Sequence, residues 1–558
     1  MFRSVNFSYF FALYFCSWPI LFASTSYILF SLDVCTVIDH TTMLSLMVLV
    51  PGGVVFLLFC MYFFLAAPKL PGKTPQPPTE FFMGNFTELD KNWDILQDWL
   101  LEKTKLFKWK TWGVSAPRLG SFSGYGAGVV ISSPENVQHL LKDKFKRYEK
   151  TDVLTATLNE LLGNGIFTSD NELWKFHRKV AAGMFSKRLL EYGTDTALTE
   201  AKKLITKLDA HCKSGEPVDL QQCFYAFTMD VFAKIAFGVE FNSQEKSHPF
   251  TVAFDNCQLI CQNRFARPLW KLEKMFQLTE DERKVRRSKK VVKTFAASVI
   301  NAKRRDAADG GGKALGPDLI SRFLEGAIKR DQEITNKELT DVVLNFIIAG
   351  RDTTAAALSW TMFELLQRPD ELDKTVRSIV EATGKDTPLE EMDSKDAFEQ
   401  INGKLTYLKA VLSEGLRLHP SVAKDVKFCV EDDVFPDGTV VEKGMCVFYS
   451  PYIMGRNPNI WKDPLKFDAS RWVAKKEGSG KAASLFKPTA VSDYKHAIFN
   501  AGPRLCLGRP LAYLEMQLIL GILLPRYEFT PVTQHDGSYV QTIVAPMKGG
   551  FSCKVARR

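Results

Sequence analysis

A single cysteine, Cys506, lies in the segment FNAGPRLCLG (499–508), together with two glycines, a proline and an arginine. The segment continues directly into the apolar stretch LAYLEMQLILGILL, which predicts a helix. A thiol beside a cation tends toward the thiolate, which is the form that binds metals or attacks carbon. Cys506 is therefore a candidate metal ligand or a candidate nucleophile, and the remaining alternative is an inert residue that only fills space.

The N-terminus of the chain is apolar. Residues 43–67 carry no charge, are long enough to cross a bilayer as a helix, and are followed by Lys69 and Lys73. They predict a membrane anchor. Residues 5–32 are also uncharged, and they are either a second span or a cleaved signal sequence, unless the chain starts at Met43. Each alternative leaves the chain from Lys69 onward on the cytosolic side, where free thiols are stable.

Five prolines stiffen the segment after the anchor, which predicts an extended hinge between the membrane and the globular part. No internal repeat and no change of composition divides the remainder into two, so one large domain is the simplest organisation. The predicted segments are a hydrophobic N-terminal segment (1–42), a transmembrane anchor (43–67), a proline-rich hinge (68–78) and one large globular domain (79–558).

The composition argues against several classes of protein. Eleven cysteines are scattered along the chain, and Cys257 and Cys261 have no partner pair at zinc-ligand spacing, which disfavours a disulfide framework or a zinc module. The formal net charge of +9 is modest for 558 residues, and no basic stripe of the kind that binds nucleic acid is present. An acidic protein partner, an anionic membrane surface and an ordinary solvated surface remain open.

The glycine-rich segment GYGAGVVI invites comparison with a nucleotide-binding loop. In a dinucleotide-binding fold the glycines follow the strand, whereas Gly124, Gly126 and Gly128 precede the β-branched run 129–131. The chain also lacks a GxxxxGK[ST] phosphate loop. We therefore expect a hairpin strand at this position and no nucleotide site.

The longest helix candidate runs from Leu339 to Leu365, where apolar residues keep a spacing of three and four, and Pro369 follows its end. Its middle, Gly350 to Thr354, does not suit a buried helix because it contains two charges, two hydroxyls and a glycine. In one interpretation the charges face solvent and the threonines bond back to the preceding turn. In the other, the helix opens locally so that a hydroxyl and a carboxylate handle water or protons.

Two further clusters contain charged residues at helical spacing. Glu414 and Arg417 lie three apart on one helix face, and Arg471 downstream is a candidate third member of a buried ion network. The common alternative for such a pair is a surface contact. Trp174 and Arg178 are one turn apart, so an indole donor and a guanidinium point the same way. They are either amphipathic patterning or a clamp for two carboxylates of a cofactor.

Five sequence motifs occur along the chain in an order that is typical of one protein superfamily. All fixed positions of FxxGxRxCxG are present, and the other motifs are WxxxR at 174–178, AGxDTT at 349–354, ExxR at 414–417 and FxxxRW at 467–472. From about Lys69 to its end, the chain resembles the haem-thiolate monooxygenases of the cytochrome P-450 superfamily. The resemblance implies a mainly α fold with a smaller β region. Haem is expected between the long central helix and the cysteine loop. The N-terminal membrane helix or helices are expected to precede this fold along the chain.

The resemblance assigns Cys506 as the axial thiolate ligand of the iron of haem b, with backbone N–H donors of the loop supporting the thiolate. Arg504, Trp174 and Arg178 are implied to hold the haem propionates, and Lys427 is a further candidate. The implied haem contacts are Phe499, Gly502, Arg504, Cys506, Gly508, Ala512, Trp174, Arg178, Ala349 and Gly350.

Asp352 and Thr353 are the implied proton-delivery pair, beside which Ala349 and Gly350 are expected to leave room for dioxygen. Some animal fatty-acid hydroxylases carry a glutamate at the position of Ala349 and use it to esterify the haem, so here haem is expected without that bond. The implied structural triad behind the cysteine loop is Glu414, Arg417 and Arg471.

The sequence around these motifs is similar to the long-chain fatty-acid terminal (omega) hydroxylases of plants and related eukaryotes, most clearly in NFIIAGRDTTAAALSW and DDVFPDGTVV. The similarity is weaker from Phe185 to Gln332, where the lid and the access channel are expected. It implies insertion of one oxygen atom from O2 near the methyl end of a fatty acid, while the other oxygen leaves as water. The alternatives are hydroxylation of a sterol or terpenoid, and a non-catalytic membrane haem protein.

The implied electron source is NADPH, through a separate flavoprotein reductase, because no nicotinamide or flavin site is visible in this chain. The reductase is expected to dock on a basic surface around the cysteine loop. The implied location is the endoplasmic reticulum membrane, with the catalytic domain facing the cytosol and a lipophilic substrate that partitions into membrane lipid.

Overall fold

α-Helices form most of the described chain. The computed structural model describes residues 66–118, 125–309, 318–328, 334–384, 388–475 and 486–558. The α-helices in these ranges are α1 (Phe86–Lys91), α2 (Leu96–Leu106), α3 (Pro134–Gln138), α4 (Thr151–Leu162), α5 (Asn171–Ala182), α6 (Lys187–Ser214), α7 (Leu220–Phe237), α8 (Pro249–Asn263), α9 (Trp270–Phe276), α10 (Glu280–Asp309), α11 (Leu319–Ile328), α12 (Asn336–Ile347), α13 (Thr353–Leu366), α14 (Pro369–Thr383), α15 (Ser394–Gly403), α16 (Thr406–Leu418), α17 (Pro451–Gly455) and α18 (Arg509–Arg526).

The strands form a smaller β region, which agrees with the predicted fold class. They are β1 (Trp112–Ser115), β2 (Ala127–Ile131), β3 (Tyr148–Glu149), β4 (Val218–Asp219), β5 (Asp425–Cys429), β6 (Asp433–Val434), β7 (Val440–Val441), β8 (Cys446–Tyr449), β9 (Val473–Lys475), β10 (Phe486–Pro488), β11 (Tyr527–Pro531) and β12 (Ser552–Arg557). One sheet has the order β1-β2-β8-β5-β3, a second has the order β11-β12-β4, and β9–β10 and β6–β7 form pairs. Strand β2 of the glycine-rich segment pairs antiparallel with β1, as the hairpin interpretation predicted. It also pairs parallel with β8.

The predicted N-terminal segment (1–42) and nearly all of the predicted anchor (43–67) lie outside the described residues. Among the residues that are described, no helix is long and apolar enough to cross a bilayer. Residues 68–78 contain no helix or strand. They begin the compact unit Ala67–Arg558, which contains all of the elements named above.

The predicted central helix consists of α12, a wider π-helical turn and α13. A capping box begins it, since the Glu338 N–H donates to Thr335 Oγ1 at 3.2 Å and the Thr335 N–H donates to the Glu338 carboxylate at 2.8 Å. The π turn covers Ile348–Asp352, and α13 ends at Leu366, shortly before Pro369 begins α14. The helix is therefore opened where the sequence places its charges and hydroxyls, as the second interpretation predicted.

The core fixes the cysteine loop through the helix that follows it. Helix α7 packs against α13, α6 packs against α18, and α16 packs against both α13 and α18. Leu518, Ile519 and Leu520 of α18 are fully buried although they point in different directions, because neighbours cover α18 on several sides. Since α18 begins at Arg509, three residues after Cys506, the start of a buried helix holds the loop in place.

Candidate active site

Cys506 differs from the other described cysteines in its exposure. Of the cysteines that the structure describes, it is the one with an exposed side chain. Protein nevertheless surrounds the sulfur, and this burial raises the pKa of the Cys506 thiol, against the effects of the Gly508 and Arg509 backbone N–H groups and of the Arg178 charge. The nearby N–H donors suit a metal-bound thiolate.

Two glycines shape the cysteine loop. Gly502 has a φ of +60°, and a Cβ there would lie 2.2 Å from the carbonyl oxygen of Leu141, so only glycine fits. The Cys506 N–H donates to the Phe499 carbonyl oxygen at 2.8 Å, which closes the loop. A Cβ on Gly508 would lie 3.7 Å from the Cys506 sulfur, an ordinary contact that leaves the approach to the sulfur open.

The start of helix α18 packs against the cysteine loop. The ring of Phe499 lies 5.4 Å from that of Tyr513, and the Arg509 guanidinium lies 5.6 Å from the Phe499 ring centre. Ala512 is half-buried, and its N–H donates to the Gly508 carbonyl oxygen at 2.8 Å. The two small residues, Gly508 and Ala512, therefore follow each other one turn apart.

Trp174, Arg178 and Arg504 come together in the structure. The guanidinium carbon of Arg504 lies 4.6 Å from the Trp174 ring centre, and that of Arg178 lies 5.9 Å from it. Arg504 also pairs with Asp170 at 2.6 Å. Burial lowers the pKa of the Arg178 guanidinium, while its interaction with Cys506 has the opposite effect. The cluster therefore brings positive charge close to the thiol.

Lys427 is a buried cation without a hydrogen bond. Its Nζ lies 3.5 Å from Asp425, which Lys150 also contacts, and no described atom accepts a hydrogen bond from it. Burial lowers the pKa of Lys427, against the attraction of Asp425. Lys427 with the neighbouring Arg504, and Arg178 beside the Cys506 thiol, are a donor set that fits a metal macrocycle bearing carboxylates.

The π turn of the central helix gives Thr353 and Gly350 different environments. Thr353 is half-buried, and its Oγ1 donates to the Ala349 carbonyl oxygen at 2.6 Å, which is the back-bond that the first interpretation predicted. A Cβ on Gly350 would lie 2.0 Å from the ring of Phe232 in α7. The missing side chain of Gly350 therefore makes room for α7, while its expected role beside dioxygen stays a prediction.

Asp352 and Arg351 are 2% and 4% exposed, so the interpretation in which these charges face solvent is wrong. Arg351 Nη1 lies 3.2 Å from Asp352 and 2.7 Å from Asp255 of α8. Gln258 of the same helix donates to Asp352 at 2.7 Å. Burial raises the pKa of Asp352 to about 7, although the Arg351 charge acts against this. A carboxyl group that titrates near neutral pH inside a cleft suits proton transfer.

The segment Ser421–Asp425 joins the two walls of the site. At one end, Ser421 Oγ donates to the Thr353 carbonyl oxygen at 2.7 Å. At the other end, Asp425 accepts a hydrogen bond of 3.3 Å from Asn500 in the cysteine loop. This segment therefore links the Thr353 region of the central helix to the Cys506 loop.

Glu414 is the centre of a buried ion network. Arg417 donates two hydrogen bonds to it, of 2.8 and 2.7 Å, and Arg471 Nε donates a third at 3.2 Å. The Trp472 indole N–H at 3.0 Å and the Asp468 backbone N–H at 2.8 Å also bind this carboxylate. Glu414 and Arg417 have no exposed surface, so the alternative of a surface pair is wrong.

The sequence did not reveal four polar residues that border the site. Asp255 and Gln258 lie three apart, which places them on one helix face, but they belong to the region of weak similarity. Lys150 and Asp425 are 275 residues apart, so no local spacing connects them. Their contacts arise from the tertiary fold alone.

Comparisons with known proteins agree with this geometry. The family model described as Cytochrome P450 matches residues 75–551. Cytochrome P450 704B1 of Arabidopsis thaliana is 35% identical over 86% of this chain and 95% of its own length. Cytochrome P450 94B1 of the same plant is 33% identical over 90% and 95%. Cytochrome P450 monooxygenase cyp1 of Mycosarcoma maydis is 34% identical over 78% and 69%.

A solved structure shares the fold. The crystal structure of the cytochrome P450DA heme domain superposes with a TM-score of 0.71, at 20% sequence identity, over 88% of this chain and 99% of that one. The match to the family model covers most of the chain, and relatives above 30% identity align along nearly their full length. The resemblance found in the sequence is thereby confirmed, and the chain belongs to the cytochrome P450 family.

Proposed function

We propose that this cytochrome P450 monooxygenase hydroxylates long-chain fatty acids at or next to the terminal carbon. The observation that carries the monooxygenase chemistry is the exposed Cys506 beside the Arg178 charge, in a loop that the segment Ser421–Asp425 links to the Thr353 backbone. The substrate class is supported by the similarity of NFIIAGRDTTAAALSW and DDVFPDGTVV to fatty-acid hydroxylases. Hydroxylation of a sterol or terpenoid is the second candidate.

Haem b, when bound, supplies the activation of O2, so that one oxygen atom enters a C–H bond and the other leaves as water. Cys506 would hold the iron through its thiolate, which the metal charge stabilises against the burial that otherwise favours the thiol. Trp174, Arg178 and Arg504 would hold the propionates, together with Lys427, whose ammonium is unsatisfied without them.

Asp352 and Thr353 move protons toward the oxygen site. The pKa of Asp352 is about 7, so its carboxyl group both binds and releases a proton near neutral pH. Gln258 and Arg351 fix the orientation of that carboxyl group from two directions. Thr353 is the next residue along the turn, and its hydroxyl donates to the Ala349 carbonyl oxygen.

Replacement of Thr353 by alanine is expected to uncouple the enzyme. Without the hydroxyl, protons reach the oxygen site without control, so NADPH consumption continues while hydrogen peroxide is released instead of hydroxylated product. We expect the ratio of product to NADPH to fall by about 10-fold or more. Thr353→Ser, which keeps the hydroxyl, is the matched control. Tight coupling in Thr353→Ala would show that the hydroxyl has no part in proton delivery.

Replacement of Asp255 by asparagine is expected to shift the pH profile of coupling to lower pH. The negative charge of Asp255 helps to raise the pKa of Asp352, and it also holds Arg351 by a bidentate contact. Without the Asp255 charge, the positive charge of Arg351 acts more strongly on Asp352 and lowers the pKa of the Asp352 carboxyl group. Asp352 then loses its proton at a lower pH. Asp281→Asn, which breaks an ion pair of α10 with Arg267, is the control, and identical profiles would contradict the assignment.

The electron supply and the location are parts of the same proposal. NADPH is expected to deliver electrons through a separate flavoprotein reductase that docks beside the cysteine loop, where exposed Lys142 and Lys144 adjoin the turn that packs on Gly502. A location on the endoplasmic reticulum membrane is supported by the apolar N-terminus and by the exposed apolar side chains of Met275, Phe276 and Leu278.

A competition experiment tests the substrate class. The full-length, haem-loaded protein is incubated with a reductase, NADPH and an equimolar mixture of fatty acids, sterols and terpenoids, and the products are identified by mass spectrometry. Oxygenated fatty acids as the main products would support the proposal. Oxygenated sterols or terpenoids, with the fatty acids unchanged, would favour the second candidate and leave the fold and the haem site unaffected.

A further inference from the structure

The first half of helix α10 has a face of exposed basic side chains. Residues three and four apart lie on the same side of a helix, and the exposed residues of 280–294 follow this spacing. Val285, Ser288 and Val292 are buried on the opposite side. The exposed cations are Arg283, Lys284, Arg286, Arg287, Lys290 and Lys293. The helix therefore collects onto one face basic residues that buried residues separate in the sequence.

Most of the positive charge of this basic face is not balanced within the protein. Glu280 pairs with Arg283 and Arg287, at 3.0 and 2.5 Å, and it is the one exposed acid within 280–294. The cations that have no ion-pair partner among the described residues are Lys284, Arg286, Lys290 and Lys293. The basic face thus has six cations and one exposed acid, which suits a surface that binds anions.

An exposed apolar patch adjoins the basic face. Its side chains lie on α9 and in the turn after it, and they are between 45% and 65% exposed: Leu272, Met275, Phe276 and Leu278. Arg283 Nη1 donates a hydrogen bond of 2.9 Å to the Gln277 carbonyl oxygen, and Gln277 lies between Phe276 and Leu278 in the chain. This contact places the first cation of the basic face directly beside the apolar patch.

The two surfaces together suit the interface of a membrane. Adjoining exposed apolar side chains mark a surface that contacts a protein or a membrane. Lysine and arginine beside exposed leucine and phenylalanine are typical of a segment that lies in the membrane interface. Basic side chains at that depth are attracted by anionic lipid head groups, and zwitterionic head groups lack this attraction. Among the partners that the composition left open, the structure therefore favours an anionic membrane surface.

We propose that the basic face of α10 binds the head groups of anionic phospholipids, while the apolar patch of α9 enters the lipid beside it. The inference rests on the proposed membrane location, and it adds the class of lipid and the surface that binds it. It does not depend on the substrate class. Because salt screens attraction between charges at a surface, the contact is expected to weaken at high ionic strength.

The elements that form the basic face differ from those proposed to bind the reductase. Helix α10 packs against α8, α11 and α12. The turn that contains Lys142 packs instead against α3 and the cysteine loop. The lipid contact and the reductase contact therefore use different parts of the fold and can be tested separately.

The test maps lysine reactivity in the haem-loaded, full-length protein in vesicles. An amine-reactive reagent labels the lysines, and mass spectrometry quantifies each site, in phosphatidylcholine alone and in phosphatidylcholine with about 30% phosphatidylserine. We expect labelling of Lys284, Lys290 and Lys293 to fall by about 5-fold or more in the anionic vesicles, and this difference to disappear at about 0.5 M salt. Labelling of the exposed Lys443 is expected to be equal in both.

Two triple variants separate the basic face from the overall charge of the protein. The first combines Arg286→Gln, Lys290→Gln and Lys293→Gln, and it leaves Lys284 as the reporter. We expect Lys284 to lose its protection in this variant, because half of the cations of the basic face are gone. The control removes three exposed cations of α6 and is expected to keep Lys284 protected: Lys187→Gln, Arg188→Gln and Lys202→Gln.

Three outcomes would overturn the inference. Equal labelling in both kinds of vesicle would show that the basic face does not bind anionic lipid. Loss of Lys284 protection in the control variant as well would assign the effect to the net charge of the protein. Protection that requires added reductase would assign the basic face to an acidic protein partner. A protein that is recovered with neither kind of vesicle would instead refute the membrane location, on which the inference rests.

Discussion

Replacement of Glu414 by glutamine is expected to give a protein that does not retain haem. The Glu414 carboxylate accepts two hydrogen bonds from Arg417, one from Arg471 and one from the Trp472 indole, and it has no exposed surface. Removing one partner of a buried ion pair leaves the other charge uncompensated and costs about 3–5 kcal/mol of folding free energy. Arg417 also holds the carbonyl oxygens of residues 464 and 466, so the whole segment would shift.

Glu515→Gln provides the matched control for this prediction. Glu515 is also buried, on α18, but burial raises its pKa to about 8 because no cation lies beside it. It is therefore mostly neutral at pH 7, and glutamine replaces it without removing a charge. We expect haem content and thermal midpoint to fall sharply in Glu414→Gln and to change little in Glu515→Gln. A haem-loaded, active Glu414→Gln protein would contradict the structural role of the network.

Replacement of Cys506 by alanine is expected to abolish the monooxygenase reaction, because the iron loses the ligand that tunes it. The reduced, carbon monoxide-bound protein should lose the absorbance band of a thiolate-ligated haem. The pocket residues Arg178, Arg504 and Lys427 remain, so some haem can still bind without this band. The spectrum therefore separates the loss of the ligand from the loss of the fold.

Cys212→Ala is the control for the cysteine substitution. Cys212 is half-buried in α6 and is not part of the site, so its loss should leave both the absorbance band and turnover unchanged. If Cys506→Ala kept the thiolate band, another residue would have to be the ligand. The geometry of the loop, with Gly502 and Gly508 on either side of Cys506, would then need a different explanation.

The opening of the central helix shows how far the sequence could predict this site. Charges and hydroxyls at 350–354 do not suit a buried helix, and the structure has a π turn at 348–352. The sequence did not indicate in which direction each residue of this turn faces. Gly350 faces Phe232, and Arg351 faces Asp255, because α7 and α8 pack on this turn. Such contacts depend on tertiary packing, which no local spacing encodes.

The ion network shows the same limit. Glu414 and Arg417 share a helix face, so the sequence predicted their pairing, but burial of the pair depends on residues 464–472, which reach it from another segment.

The most direct test of the account is the product formed by the haem-loaded protein from dodecanoic acid, with a reductase, NADPH and isotopically heavy dioxygen. Mass spectrometry then locates the new hydroxyl group and the origin of its oxygen. The account predicts one heavy oxygen atom at the terminal carbon or the carbon next to it, in the wild-type protein and not in Cys506→Ala. No hydroxylated acid from a protein with intact haem and confirmed electron transfer, or an oxygen atom that comes from water, would contradict it.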